Sequence, residues 1–126
     1  MLYSCKKDNE KTTTVSSHTL SFSITSLNEN QSAAGDTASF NIIYSNGKGE
    51  HINTSAYGVT KWESDTMALN PTLYTVFLTA NVVYPFESAT GSVTVLNVLV
   101  DGEVVRTSIL PLSSATAVTI EARVNN

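Results

Sequence analysis

The stretch SVTVLNVLVDGEVVRTSIL, residues 92 to 110, leaves the chain few folds to choose from. Two β-branched runs flank Asp101-Gly102, a dipeptide that accepts the positive φ angles of a tight two-residue turn. An antiparallel hairpin follows. A lone hairpin is marginal in water, so further strands must cover its apolar face. The rest of the chain supplies them. HTLSFSITSL, 18–27, sets Leu20, Phe22 and Ile24 on one face and Ser21, Ser23 and Thr25 on the other. That is the period-two pattern of a half-buried strand. NENQSAAGD breaks the pattern as a loop, and TASFNIIYS, 37–45, resumes it with Ala38, Phe40, Ile42 and Tyr44 aligned. Asn46 to Gly49 read as a turn, since Asn and Gly tolerate positive φ. EHINTSAYGVTKW, 50–62, predicts one weaker strand bent near Gly58, ended by DTMALNP. TLYTVFLTANVVY, 72–84, is apolar on both faces, which predicts a central strand, and Pro85 in the loop PFESATG stops its pairing. After the hairpin and the loop PLSSAT, AVTIEARV aligns Val118, Ile120, Ala122 and Val124.

These segments predict an all-β fold: an antiparallel, immunoglobulin-like β-sandwich of about seven strands. No segment carries a capped helical period. KWESDTMAL has some helical spacing but is short. With 126 residues the chain makes one domain, large enough to bury a core without disulfides. Charged residues are 14%, against about a quarter in an average chain, and Ser and Thr fill the gap. That mixture favours strands. The net charge of −4 and the lack of a basic stripe argue against a nucleic-acid partner. No stretch approaches the roughly 20 apolar residues of a membrane-spanning helix.

The residues offer little to catalysis. His18 stands where the polar start meets the first strand, and His51 follows a turn; neither has a nucleophile and orienting carboxylate at suggestive spacing. The expectation is a protein that is not an enzyme and uses no cofactor. His51 with Glu50 is not a spaced metal-ligand set, and Asp101 with Glu103 reads as solvated hairpin charge rather than a calcium corner. Trp62, the only tryptophan, has two readings: a core aromatic, which is preferred, or a carbohydrate platform. Tyr57, Tyr74 and Tyr84 could line a binding face with it, but the preferred reading of all three is amphipathic tyrosines at the edge of the core.

The single cysteine is the strongest functional signal. Leu2-Tyr3-Ser4-Cys5 resembles the lipobox of bacterial lipoproteins: leucine three residues before the cysteine and a small residue just before it. Tyr3 is bulkier than that motif's usual residue. CKKDNE is similar to the start of Bacteroidetes-type lipoproteins, in which a charged linker follows the lipidated residue. The resemblance implies lipidation at Cys5, a membrane partner reached through that lipid, and a place in the bacterial cell envelope as an outer-membrane lipoprotein, periplasmic or surface-exposed. It divides the chain into 1–4, a remnant of signal peptide, 5–17, a disordered tether, and 18–126, the sandwich. Lys6 to Ser17 is polar and without apolar period. Its full reach is about 40 Å and its r.m.s. span about 20 Å.

A second resemblance covers about 38 to 108. Tyr44 with Asn46-Gly47, Trp62, Ala80-Asn81, the run Gly91 to Val95 and Asp101-Gly102 stand in an order similar to that of the MmpS family, accessory proteins of lipid transporters. It implies an MmpS-like β-sandwich, no catalytic residues, and an envelope protein or transporter as partner. A membrane helix in the family's transport members is replaced here by the cysteine. Three function classes therefore stand: a lipid-anchored binding or scaffolding domain, a transport accessory protein, and a carbohydrate-binding module. Asp36-Thr37-Ala38 and Asp65-Thr66-Met67 also resemble short O-glycosylation sites of Bacteroidetes envelope proteins, with Thr37 and Thr66 as acceptors.

Overall fold

A computed structural model describes residues 18–28, 30–84, 92–111 and 115–124. The polar start with Cys5, the loop PFESATG and residues 112–114 lie outside the described residues. Among the described residues nine strands follow in order: β1 His18–Asn28, β2 Ala38–Ser45, β3 His51–Val59, β4 Lys61–Glu63, β5 Met67–Leu69, β6 Thr75–Val83, β7 Ser92–Val100, β8 Glu103–Pro111 and β9 Ala115–Arg123. There is no helix among the described residues. The strands form two antiparallel sheets. One runs β4-β1-β7-β8, with β5 also paired to β1; the other runs β3-β2-β6-β9. They face each other as a β-sandwich.

Alternation builds the core. Leu20, Phe22 and Ile24 of β1 and Leu96 and Val98 of β7 meet Phe40, Ile42, Val76, Leu78, Ala80 and Val82 of the other sheet, all essentially inaccessible to water. Ile120 and Ala122 of β9 extend the same layer. The aligned sets expected from the sequence are these inward faces.

The described residues hold nine strands where about seven are expected, for a local reason. The predicted strand 50–62 is two strands in different sheets. At Gly58, φ is 65°, and the register of β3 against β2 slips over this stretch. The chain then crosses at Thr60, whose carbonyl accepts from Ser26 N at 2.7 Å. Lys61 to Glu63 pair with β1, and Met67 to Leu69 pair with it again nearer its start. Strands of three residues are too short to show a period, which is why DTMALNP reads as a terminator in the sequence. The expectation for β6 needs a second correction. It is central, flanked by β2 and β9, but its outward side carries Thr75, Thr79 and Asn81 beside Phe77 and Val83, so only one face is apolar throughout.

The β7–β8 turn is the one the sequence predicts: Asp101 has φ 54° and Gly102 φ 80°. The β2–β3 turn works differently from expectation. Only Gly49 takes positive φ there. Asn46 contributes its side chain: Oδ1 accepts from Lys48 N and Glu50 N, each at 2.9 Å. Gly47 sits against the backbone of β5, and its carbonyl accepts from Asn70 N at 2.8 Å.

A buried hydroxyl cluster closes the opposite end. Tyr84 Oη lies 3.0 Å from Ser26 Oγ and 2.8 Å from Thr94 Oγ1. Ser26 Oγ donates to the Asp36 carbonyl, and Ser92 Oγ donates to the Asp36 carboxylate while accepting from Asp36 N. Every hydroxyl here has a partner, so burying them costs little. The cluster fastens the loop before β2 onto the inner ends of β1 and β7.

Candidate functional site

The sandwich has two ends and two outer faces. One end collects the start of β1, the β2–β3 turn, β5 and the β7–β8 turn. Here the described part of the chain begins. Asp101 Oδ1 accepts from Thr19 N at 2.9 Å, and Asp101 N donates to Thr19 O at 3.0 Å. His18 Nδ1 lies 2.6 Å from Asp101 Oδ2. A carboxylate only accepts, so Nδ1 carries the proton. The bond from the Thr19 backbone, then the one from His18, holds the Asp101 carboxyl below its ordinary value of 3.8. This aspartate ties a hairpin turn to the root of β1; the solvated charge expected from the sequence has a structural task.

Asp101→Asn tests that task, because Asn keeps the positive-φ turn and removes the charge. A carboxyl whose folded-state value is depressed stabilises the fold above its unfolded value. The contribution is lost as pH falls through the folded-state value. The variant is therefore expected to melt below the parent at neutral pH, with the two curves converging as pH drops beneath 3.8. A gap that stays constant from pH 7 into that acid range would rule out the charge as its source.

The aromatic residues singled out by the sequence are not gathered. Trp62 pairs with Ile24 across the β4–β1 ladder, so it shares that residue's inward direction. It is half-buried at the sheet edge, its ring 5.2 Å from that of Tyr44 and inclined by 59°. Burial, with Asp65 adding to it, raises the Tyr44 phenol above its ordinary value. Tyr57 and Tyr74 are not at the core edge as expected: they are exposed, at 70% and 60%. Tyr57 is near the end of β3, and Tyr74 precedes β6 and accepts from Val124 N at the opposite end of the same sheet. Tyr84 is buried in the hydroxyl cluster. No platform unites Trp62, Tyr57 and Tyr74. Thr37 and Thr66 are both exposed, in the connections before β2 and between β4 and β5.

Among the described residues no three His, Cys, Asp or Glu side chains are grouped to hold a metal ion, and no helix is long and apolar enough to cross a membrane. His51 is exposed, and Glu50 Oε1 accepts from Asn46 Nδ2 at 3.0 Å.

Two outer surfaces offer binding chemistry. The first is a shallow depression of about 200 Å³ on the β4-β1-β7-β8 sheet, lined by Ser21, Ser23, Glu63, Ser64, Thr66 and Leu99. Much of its polarity is already engaged. Ser64 Oγ accepts from Phe22 N and donates to Asp65 O, and Glu63 pairs with Lys61 at 3.0 Å.

The second is the outer face of the β3-β2-β6-β9 sheet. Register places Ser55, Asn41, Asn81 and Ala117 in one cross-strand row. Asn53, Ile43, Thr79 and Thr119 form the next. Cβ atoms of directly opposed residues in such rows lie about 4.5–5.5 Å apart. Asn41 Oδ1 accepts from Ser55 Oγ at 2.9 Å. Thr79 and Thr119 share a hydroxyl bond of 2.8 Å. Asn53 and Asn81 are exposed. This row of amides is the feature sequence reasoning missed: Asn41, Asn53 and Asn81 come from three strands, and only the register brings them together.

Compared with protein-family models, with curated proteins and with solved structures, the chain matches none. The resemblances drawn above rest on the residues of the chain itself.

Proposed function

We propose that the chain is a lipid-anchored protein of the bacterial cell envelope, its β-sandwich a non-catalytic binding or scaffolding domain held near an outer membrane. The observation that carries this reading is the position of Cys5. It is the only thiol of the chain, and it sits in Leu2-Tyr3-Ser4-Cys5, ahead of a polar run and well before His18, where β1 begins. Redox or metal chemistry asks for partners near a cysteine. An anchor asks for a small residue before it, a polar spacer after it and a domain that folds without the thiol. Two or three acyl chains hold such a protein stably at a bilayer, where one chain is marginal. The His18 and Thr19 bonds to Asp101 support the same reading, since they fix the root from which the spacer leaves. The MmpS-like resemblance adds an envelope protein or transporter as a partner.

Cys5→Ala, expressed from the native locus, is expected to move the protein from the membrane to the soluble fraction without changing its melting temperature. A variant that stays with the membrane counts against the anchor.

A further inference from the structure

The outer face of the β3-β2-β6-β9 sheet breaks a rule of strand composition. Asn is depleted in strands, because its side chain competes for backbone hydrogen bonds and packs poorly on a pleated surface. Yet Asn41, Asn53 and Asn81 cluster at the centre of this one face. They do nothing for the core, since all three point to water. Asn41 has a cross-strand bond from Ser55, but Asn53 and Asn81 are exposed and make no such bond among the described residues. A cluster of strand-disfavoured amides beyond what one bond needs marks a functional surface.

The chemistry of the face narrows the ligand. Its two central rows contain amides, hydroxyls, Ile43 and Ala117, and no ionisable side chain. The charges of this face stand nearer the end that holds the start of β1, where His51 opposes Ser45, Glu121 opposes Phe77 and Arg123 opposes Thr75. Toward the far end the face becomes apolar, with Tyr57 and, at 42% exposure, Val83 beside Ser39. A carboxamide presents a paired acceptor and donor. That pair matches two neighbouring hydroxyls of an uncharged sugar ring, while Tyr57 and Ile43 suit the C–H faces of such rings. An acidic polymer finds no cation in the central rows, and a protein partner would ordinarily ask for a larger apolar centre than Ile43 alone.

We propose that this amide face binds neutral polysaccharide, laid across the strands over Asn53, Asn41 and Asn81 with Tyr57 at its margin. The inference deepens the reading of the sandwich as a binding domain and rests on it, but not on the anchor. The site uses none of Trp62, Tyr74 or the depression at Glu63.

Affinity electrophoresis of the full chain tests it, with gels containing glucan, mannan, galactan or xylan, and alginate as an acidic polymer. Retardation is expected in at least one neutral gel. The variant Asn41→Ala/Asn53→Ala/Asn81→Ala is expected to bind that polysaccharide at least about tenfold more weakly, the cost of losing one to three hydrogen bonds. Unchanged Trp62 fluorescence would certify its fold, and the single variant Asn81→Ala serves if the triple one does not fold. Asn97→Ala, on the other sheet, is expected to bind like the parent. Absence of retardation in every neutral gel, equal retardation of parent and amide variants, or retardation by alginate alone would each overturn the proposal. Each of these outcomes is independent of whether Cys5→Ala leaves the membrane.

Discussion

Gly47→Ala is expected to cost the sandwich about 3 kcal/mol or more, close to unfolding it. A Cβ built on Gly47 would lie 1.7 Å from the Ala68 carbonyl oxygen and 2.8 Å from its carbon. Both are backbone atoms of β5, which is itself held in the ladder of β1. No side chain can rotate away to relieve the overlap. The β2–β3 turn would have to lift off, breaking the bond from Asn70 N to Gly47 O and leaving a buried carbonyl unpaired. That turn belongs to one sheet and β5 to the other, so the contact joins the two layers. Gly58→Ala is the comparison: its φ is 65° but no atom lies within 4 Å of the added Cβ. Only the left-handed conformation is penalised there, at about 1–2 kcal/mol. Urea unfolding of both variants measures the difference. Equal costs would mean that the close approach to Ala68 does not constrain the fold.

Phe22→Ala is expected to lose about 3–5 kcal/mol. Phe22 is 1% exposed on β1, which lies between β4 and β7. Its ring stands 5.4 Å from that of Tyr44, across the gap between the sheets, and Tyr44 in turn contacts Trp62. Removing the first ring empties the middle of the core and loosens an aromatic row that seals one edge. Two readouts should therefore move together: the urea midpoint falls, and Trp62 fluorescence becomes easier to quench in the folded protein. A loss under about 1 kcal/mol with unchanged quenching would show that the core collapses around the gap or that the row is not a unit.

Much of this fold is legible in the sequence wherever a strand is long enough to show its period. Leu20, Phe22 and Ile24, or Val118, Ile120 and Ala122, announce their inward face because every second residue is apolar over several repeats. The same rule reaches residues whose polar atoms disguise an inward position. Tyr84 continues the parity of Val76, Leu78, Ala80 and Val82, and Ser26 that of Leu20, Phe22 and Ile24; both are buried. The hydroxyl cluster was thus implied by alternation but masked by the polarity of its members. Strands β4 and β5 were beyond reach, because three residues carry no period and their pairing depends on where β1 lies. The amide face was further still. Asn41 and Asn81 oppose each other across β2 and β6, which are distant in sequence, and no local pattern encodes that register. Tyr57 and Tyr74 read from the sequence as core-edge residues because an aromatic on a strand is usually buried, yet both stand exposed, at opposite ends of one sheet.

The anchor is decided most directly by mass spectrometry of the protein purified from membranes of the bacterium that makes it. The predicted N-terminal peptide begins at Cys5, carries a diacylglycerol on Sγ and runs on into Lys6-Lys7-Asp8. A mature chain that retains Leu2-Tyr3-Ser4 ahead of an unmodified Cys5 would contradict it.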